Sequence, residues 1–79
     1  MIKKRVHLKI SYKIYNEHKE LIDGLIKSGY SIALELDDTF DLNFSCFVLF
    51  SYIFVYEKYD YYDMIVDDDS ISKNNLVVL

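Results

Sequence analysis

Leu42-Asn43-Phe44-Ser45-Cys46-Phe47-Val48-Leu49-Phe50-Ser51-Tyr52-Ile53-Phe54-Val55-Tyr56 is a fifteen-residue run broken by polar side chains only at Asn43, Ser45 and Ser51. Its reading as strand, buried helix or membrane span decides the fold. In steps of two, the even positions from Leu42 to Tyr56 are without a polar side chain, whereas the odd positions mix Asn43, Ser45 and Ser51 with apolar residues. Alternation places successive side chains on opposite sheet faces. Wound as a helix, the polar positions scatter and leave no coherent wet face. The pattern therefore predicts strand, with the even-numbered face as core. A strand from 41 to 57 would span ~50 Å at about 3.3 Å per residue. It must bend or break near Ser51, or project beyond a small domain and pair with another subunit.

A spanning helix needs roughly 20 apolar residues. This run is shorter and is closed by Asp41 and Glu57. The basic Lys3-Lys4-Arg5 lies far upstream, so it offers little orientation signal. The charged, alternating N-terminus does not resemble a signal peptide. The sequence points away from the membrane and toward a soluble, cytoplasmic chain.

Upstream, Val6, Leu8, Ile10, Tyr12 and Ile14 alternate with His7, Lys9, Ser11 and Lys13, predicting a strand with a cationic outer face. Asn16 reads as a helix N-cap, with Glu17 and Glu20 in the first turn. The helix carries Leu21, Ile22, Leu25 and Ile26 as its apolar stripe, edged by His18, and stops at Gly29. Asp23 and Lys27 are spaced as an ion pair. Gly24 suggests close packing on the sheet. Tyr30, Ile32, Leu34 and Leu36 predict the inner face of a second strand, and Asp37-Asp38-Thr39 a turn.

Downstream, Tyr61 to Val66 reads as an antiparallel partner strand turned around Glu57 to Asp60. Residues 67–75 read as an acidic, polar loop, and Leu76-Val77-Val78-Leu79 as a short terminal strand. The expected fold is α+β in a single domain, 1–79: one helix on a 4–5-stranded, mainly antiparallel sheet in the order β-α-β-β-β-(β). Its opening unit is compatible with half a ferredoxin-like fold. No internal repeat stands out.

Composition narrows the chemistry. The lone cysteine, Cys46, excludes an intramolecular disulfide, and a place on the apolar face marks it as a buried thiol rather than a nucleophile. His7 and His18 have no ligand cluster beside them, so no metal or other cofactor is expected. Asp67, Asp68 and Asp69 do not follow a cation-loop pattern, and two glycines build no phosphate loop. The chain does not read as an enzyme.

Charge is polarised. Residues 1–27 carry seven Lys/Arg against three Asp/Glu, a net of +4, and residues 28–79 carry two against ten, a net of −8. A net acidic chain disfavours direct nucleic-acid binding. Tyr56, Tyr59, Tyr61 and Tyr62 interleave with Asp60, Asp63 and Asp67–Asp69, combining rigid amphipathic rings with carboxylates that steer cations. These nine residues form the candidate binding surface for a basic protein partner, as in small acidic inhibitors or immunity-type proteins. The alternatives are a homo-oligomeric structural or ligand-sensing module assembled through the long aromatic strand, and a small membrane-associated protein. With thirteen aromatic residues in 79, a homodimer is expected.

Overall fold

The computed structural model describes residues 7–79, His7 through its backbone alone. The upstream cluster Lys3-Lys4-Arg5 lies outside the described residues. Strand β1 (His7–Ser11) leads into helices α1 (Tyr12–Glu17) and α2 (Lys19–Lys27), followed by strand β2 (Ser31–Glu35). A 3₁₀ helix (Phe44–Leu49) precedes strand β3 (Tyr52–Val55). Helix α3 (Tyr62–Val66) and a 3₁₀ turn (Lys73–Asn75) then lead to strand β4 (Leu76–Val78).

The α+β class and the four-stranded sheet agree with the sequence reading, but the strand direction does not. The sheet order is β1-β2-β3-β4, and every neighbouring pair is parallel. Connection length explains the difference. Sixteen residues separate β2 from β3 and twenty separate β3 from β4, enough for the crossover that parallel pairing demands. Because β1 and β2 are direct neighbours, the opening unit is not the split β-α-β of a ferredoxin-like fold.

The long aromatic strand does not form. Asn43 Oδ1 accepts from Ser45 N–H at 3.2 Å and from Ser45 Oγ at 2.6 Å, so both polar residues cap a helical turn. Phe44 and Phe47, three apart, then meet at 5.6 Å between ring centroids, as the three-residue repeat of a 3₁₀ helix allows. Phe40 stacks on both, at 5.8 and 5.7 Å. The turn ends at Phe50, and the strand that starts at Tyr52 has the opposite phase to the one predicted. Ile53 and Val55 point inward and are buried, while Tyr52 and Phe54 point outward.

Tyr61 to Val66 is likewise not a partner strand. Tyr61 and Ile65, one helical turn apart, are both buried, and that packing overrides the β-propensity of Ile65 and Val66. At the other end, β1 stops at Ser11, whose Oγ accepts from Ile14 N–H at 3.2 Å and caps α1. The cap therefore lies five residues before the expected one at Asn16. The helix breaks at His18, which is exposed, with φ −134° and ψ 43°. The expected stop holds: Gly29 has φ 102°, and Tyr30 N–H reaches back to the Leu25 carbonyl at 3.1 Å.

All the buried residues among those described belong to one core on one side of the sheet. Ile32, Leu34, Leu36, Ile53 and Val55 meet Tyr12, Tyr15 and Ile22 from the first connection, Phe40, Cys46, Phe47 and Phe50 from the second, and Tyr61 and Ile65 from the third. Register shows a repeat that the sequence hides. Ile10, Leu34, Ile53 and Leu76 lie opposite one another along the sheet, so successive strands are offset by 24, 19 and 23 residues. Each strand and its connection thus lie beside the next in sheet order, an arrangement that resembles the units of a solenoid.

Candidate interaction surface

An all-parallel sheet usually has both faces covered. Here Lys9, Ala33, Glu35, Tyr52, Phe54 and Val77 form an outer face that none of the described helices covers. Its polar groups are largely satisfied from within. Lys9 Nζ lies 3.6 Å from Glu35 Oε2 and 4.9 Å from the Phe54 ring centroid. Tyr56 donates to the same Glu35 carboxylate, and this hydrogen bond, with partial burial, raises the phenol pKa. Ser31 and Ser51 Oγ atoms are 2.6 Å apart.

Chemistry is richer where the strands end. The chain leaving β2 passes through Asp37 and Asp38, and the chain leaving β3 through Lys58, Tyr59 and Asp60. These two loops enclose an open cavity of about 290 Å³, walled by Phe40, Tyr59 and Tyr61, with Asp38, Asp60 and Lys58 at its edge. Tyr59 and Tyr61 stack at 5.3 Å and 14° between planes, and Tyr56 meets Tyr59 edge-on at 6.4 Å. Lys58 Nζ lies 5.2 Å from the Tyr59 centroid and 5.9 Å from that of Tyr56. These rings therefore already hold a cation in the manner favoured by their quadrupoles.

The cavity wall is fixed from below. Tyr61 hydroxyl donates to the Asp37 carbonyl at 2.8 Å, and burial, reinforced by Tyr59, pushes its pKa well above the usual phenol value. Burial works to raise the Asp37 carboxyl as well. Hydrogen bonds from Thr39 hydroxyl and N–H and from Lys13 N–H outweigh it, so the pKa falls below the ordinary carboxylate value. Tyr12 hydroxyl donates to Asp41 Oδ1 at 2.6 Å, holding the 37–43 loop against α1 and lowering the Asp41 pKa.

The nine residues singled out from the sequence are thus divided. Tyr59, Asp60 and Tyr61 line the cavity, and Tyr56 adjoins it. Tyr61 is a buried wall rather than an exposed contact, and Tyr62 packs on the core. Asp63 is exposed on α3. Asp67, Asp68 and Asp69 follow the other end of α3, and Asp68 is occupied with its own turn, accepting from Ser70 N–H at 2.8 Å and Ser70 Oγ at 2.6 Å. No sequence signal joined Asp38 to Asp60; only the parallel order brings their loops together.

No known protein family matches this sequence, and no curated protein or solved structure matches it either.

The remaining candidates for chemistry read more plainly. Cys46 is buried in the 3₁₀ helix with Sγ 3.5 Å from the Asn43 carbonyl, and burial pushes the thiol pKa up. That favours the protonated, weakly nucleophilic form. No group of three or more His, Cys, Asp or Glu able to hold a metal ion occurs among the described residues. A second cavity, of about 360 Å³, opens between the 3₁₀ helix and the Ser70–Asn75 segment and is lined mainly by Phe44, Phe47, Phe50, Ile53 and Ile71. No charged side chain lines it. None of the described helices is long and apolar enough to cross a membrane.

Proposed function

We propose that this chain is a non-enzymatic protein-interaction module that seats basic side chains of a protein partner at the strand-end cavity. The observation that carries this reading is the meeting of two carboxylates, Asp38 and Asp60, with the stacked Tyr59 and Tyr61 rings in one concave site. An arginine or lysine entering there gains ring faces and carboxylate oxygens together. Lys58 acts as an internal placeholder that a stronger cation displaces.

Magnitudes shape the expectation. A partly exposed ion pair contributes about 1 kcal/mol or less, and a cation on an exposed ring contributes a similar amount. One basic side chain therefore binds weakly, and a partner must add contacts around the rim. Tyr56, edge-on to Tyr59 at 6.4 Å, supplies one such contact.

The test is a nuclear magnetic resonance titration with an arginine-rich peptide at low salt. Amide shifts should centre on Asp38, Tyr59 and Asp60, and the Asp38→Asn/Asp60→Asn variant should lose them. Equal shifts at Asp67–Asp69, unchanged in that variant, would reduce the effect to diffuse charge attraction and sink the proposal.

A further inference from the structure

The two outer strands of this sheet are only half finished. Leu8 on β1 lies opposite Ile32 on β2 and shares its inward direction, yet Leu8 is 43% exposed and Ile32 1%. Val78 on β4 lies opposite Val55 on β3 in the same way, at 47% against 0%. Each inner strand is sealed by two neighbours and each outer strand by one.

Terminal units of a solenoid need polar outer faces. Here the first unit also exposes Ile14 and Leu21, and the last exposes Met64 and Leu79. The edge of β4 is guarded only by its shortness, three residues: Leu76-Val77-Val78-Leu79 has neither a charged side chain nor a proline. Leu79 N–H donates to the Val55 carbonyl at 2.8 Å, and the Leu79 carbonyl accepts from Glu57 N–H at 2.9 Å. Backbone groups alternate in direction along a strand. Those of Leu76 and Val78 therefore point away from the sheet.

We propose that this chain stacks head to tail with further copies of itself, the outer edge of β4 in one copy pairing in parallel with the outer edge of β1 in the next, each edge being unpaired among the described residues. Sheet direction matches, because every strand is parallel to its neighbour, and such a contact repeats the relation already present three times within the chain. Charge matches as well. Residues 8–27 hold four Lys and three Asp/Glu, a net of +1, whereas residues 52–79 hold six Asp/Glu and two Lys, a net of −4. Two β4 ends meeting each other would instead bring like charges together. The contact of β4 with β1 is heterologous, so it builds a series rather than a closed pair.

Light scattering on the purified chain and two edge variants decides this. Val78→Pro removes an N–H that the sheet does not use. Leu8→Lys places a charge on the uncovered inward edge of β1. The wild-type mass should rise from 9.4 kDa in multiples as concentration increases. Each variant alone should stay at the mass of one chain. An equal mixture should double in mass and stop there, because the two intact ends cap each other. A wild-type mass that never rises overturns the proposal, as does a Val78→Pro series like that of the wild type, or a mixture that remains single chains. Near-ultraviolet circular dichroism checks that both variants keep their fold; if Val78→Pro does not, Val78→Lys takes its place under the same criteria.

Discussion

Gly24 stands in the middle of α2, and apart from its chain neighbours and the surrounding helix backbone no atom lies within 4 Å of where a Cβ would sit. The sequence suggested close packing at this glycine, and the open space corrects that. Alanine in its place should stabilise the chain by about 1 kcal/mol, since glycine inside a helix carries an entropic penalty of that size. Urea denaturation reads this as a higher midpoint with an unchanged slope, and an unchanged midpoint would disprove it. Tyr61 presents the opposite case. Its ring is buried and its hydroxyl reaches the Asp37 carbonyl at 2.8 Å. Tyr61→Phe keeps the ring but leaves a partly buried carbonyl short of a donor, at a cost of about 1 kcal/mol. The same substitution leaves Tyr59 and Asp60 in place, so peptide binding at the cavity should change far less than stability does.

At the scale of elements, Asp37 joins three parts of the chain. It follows β2, accepts from Lys13 N–H in the first turn of α1 at 3.1 Å, and accepts from Thr39 N–H at 2.9 Å and the Thr39 hydroxyl at 2.5 Å. Asp37→Ala removes all three acceptances and should cost about 2 kcal/mol by the usual value of hydrogen bonds to a charged group. The sign of its pH dependence follows from the lowered pKa. The stability it adds is present above the unfolded carboxylate value of about 4 and is lost as pH falls through the lower folded value. Asp37→Asn should flatten that acid limb of the stability curve, whereas a limb identical to wild type would remove Asp37 as its source. These ties also show what the sequence concealed. The inner faces of β1 and β2 were legible because Leu8 and Ile10, and Ile32, Leu34 and Leu36, alternate without interruption. The 42–56 run was misread because Asn43 and Ser45 are cap residues, a role set by local hydrogen bonds that period counting does not register. Tyr61 and Ile65 fit either period, and only the core against which they pack selects the helix.

At the scale of the molecule, the α+β class was legible but the parallel order was not. Offsets of 24, 19 and 23 residues differ too much for a fixed-period comparison. Only half of the candidate site was legible, because Asp38 and Asp60 are neighbours in space through the parallel order alone. The core that this order builds is unusually rich in phenols. Tyr12, Tyr15 and Tyr61 are all buried in it, and burial raises the pKa of each above the ordinary value, with Asp41, Asp23 and Tyr59 respectively adding to the effect. A phenol with a raised folded pKa contributes stability that is intact below the unfolded value of about 10 and lost as pH rises through the folded value. While all three stay protonated in the fold, each pH unit above that point removes about 1.4 kcal/mol per phenol. Against a total stability of about 5–15 kcal/mol, this makes alkaline unfolding cooperative. Phenolate absorbance and far-ultraviolet circular dichroism recorded together should therefore show a final absorbance step that coincides with loss of secondary structure. Tyr61→Phe should lessen the steepness of that transition. Complete ionisation of all eight tyrosines while the dichroism stays native would show that the buried phenols do not govern it.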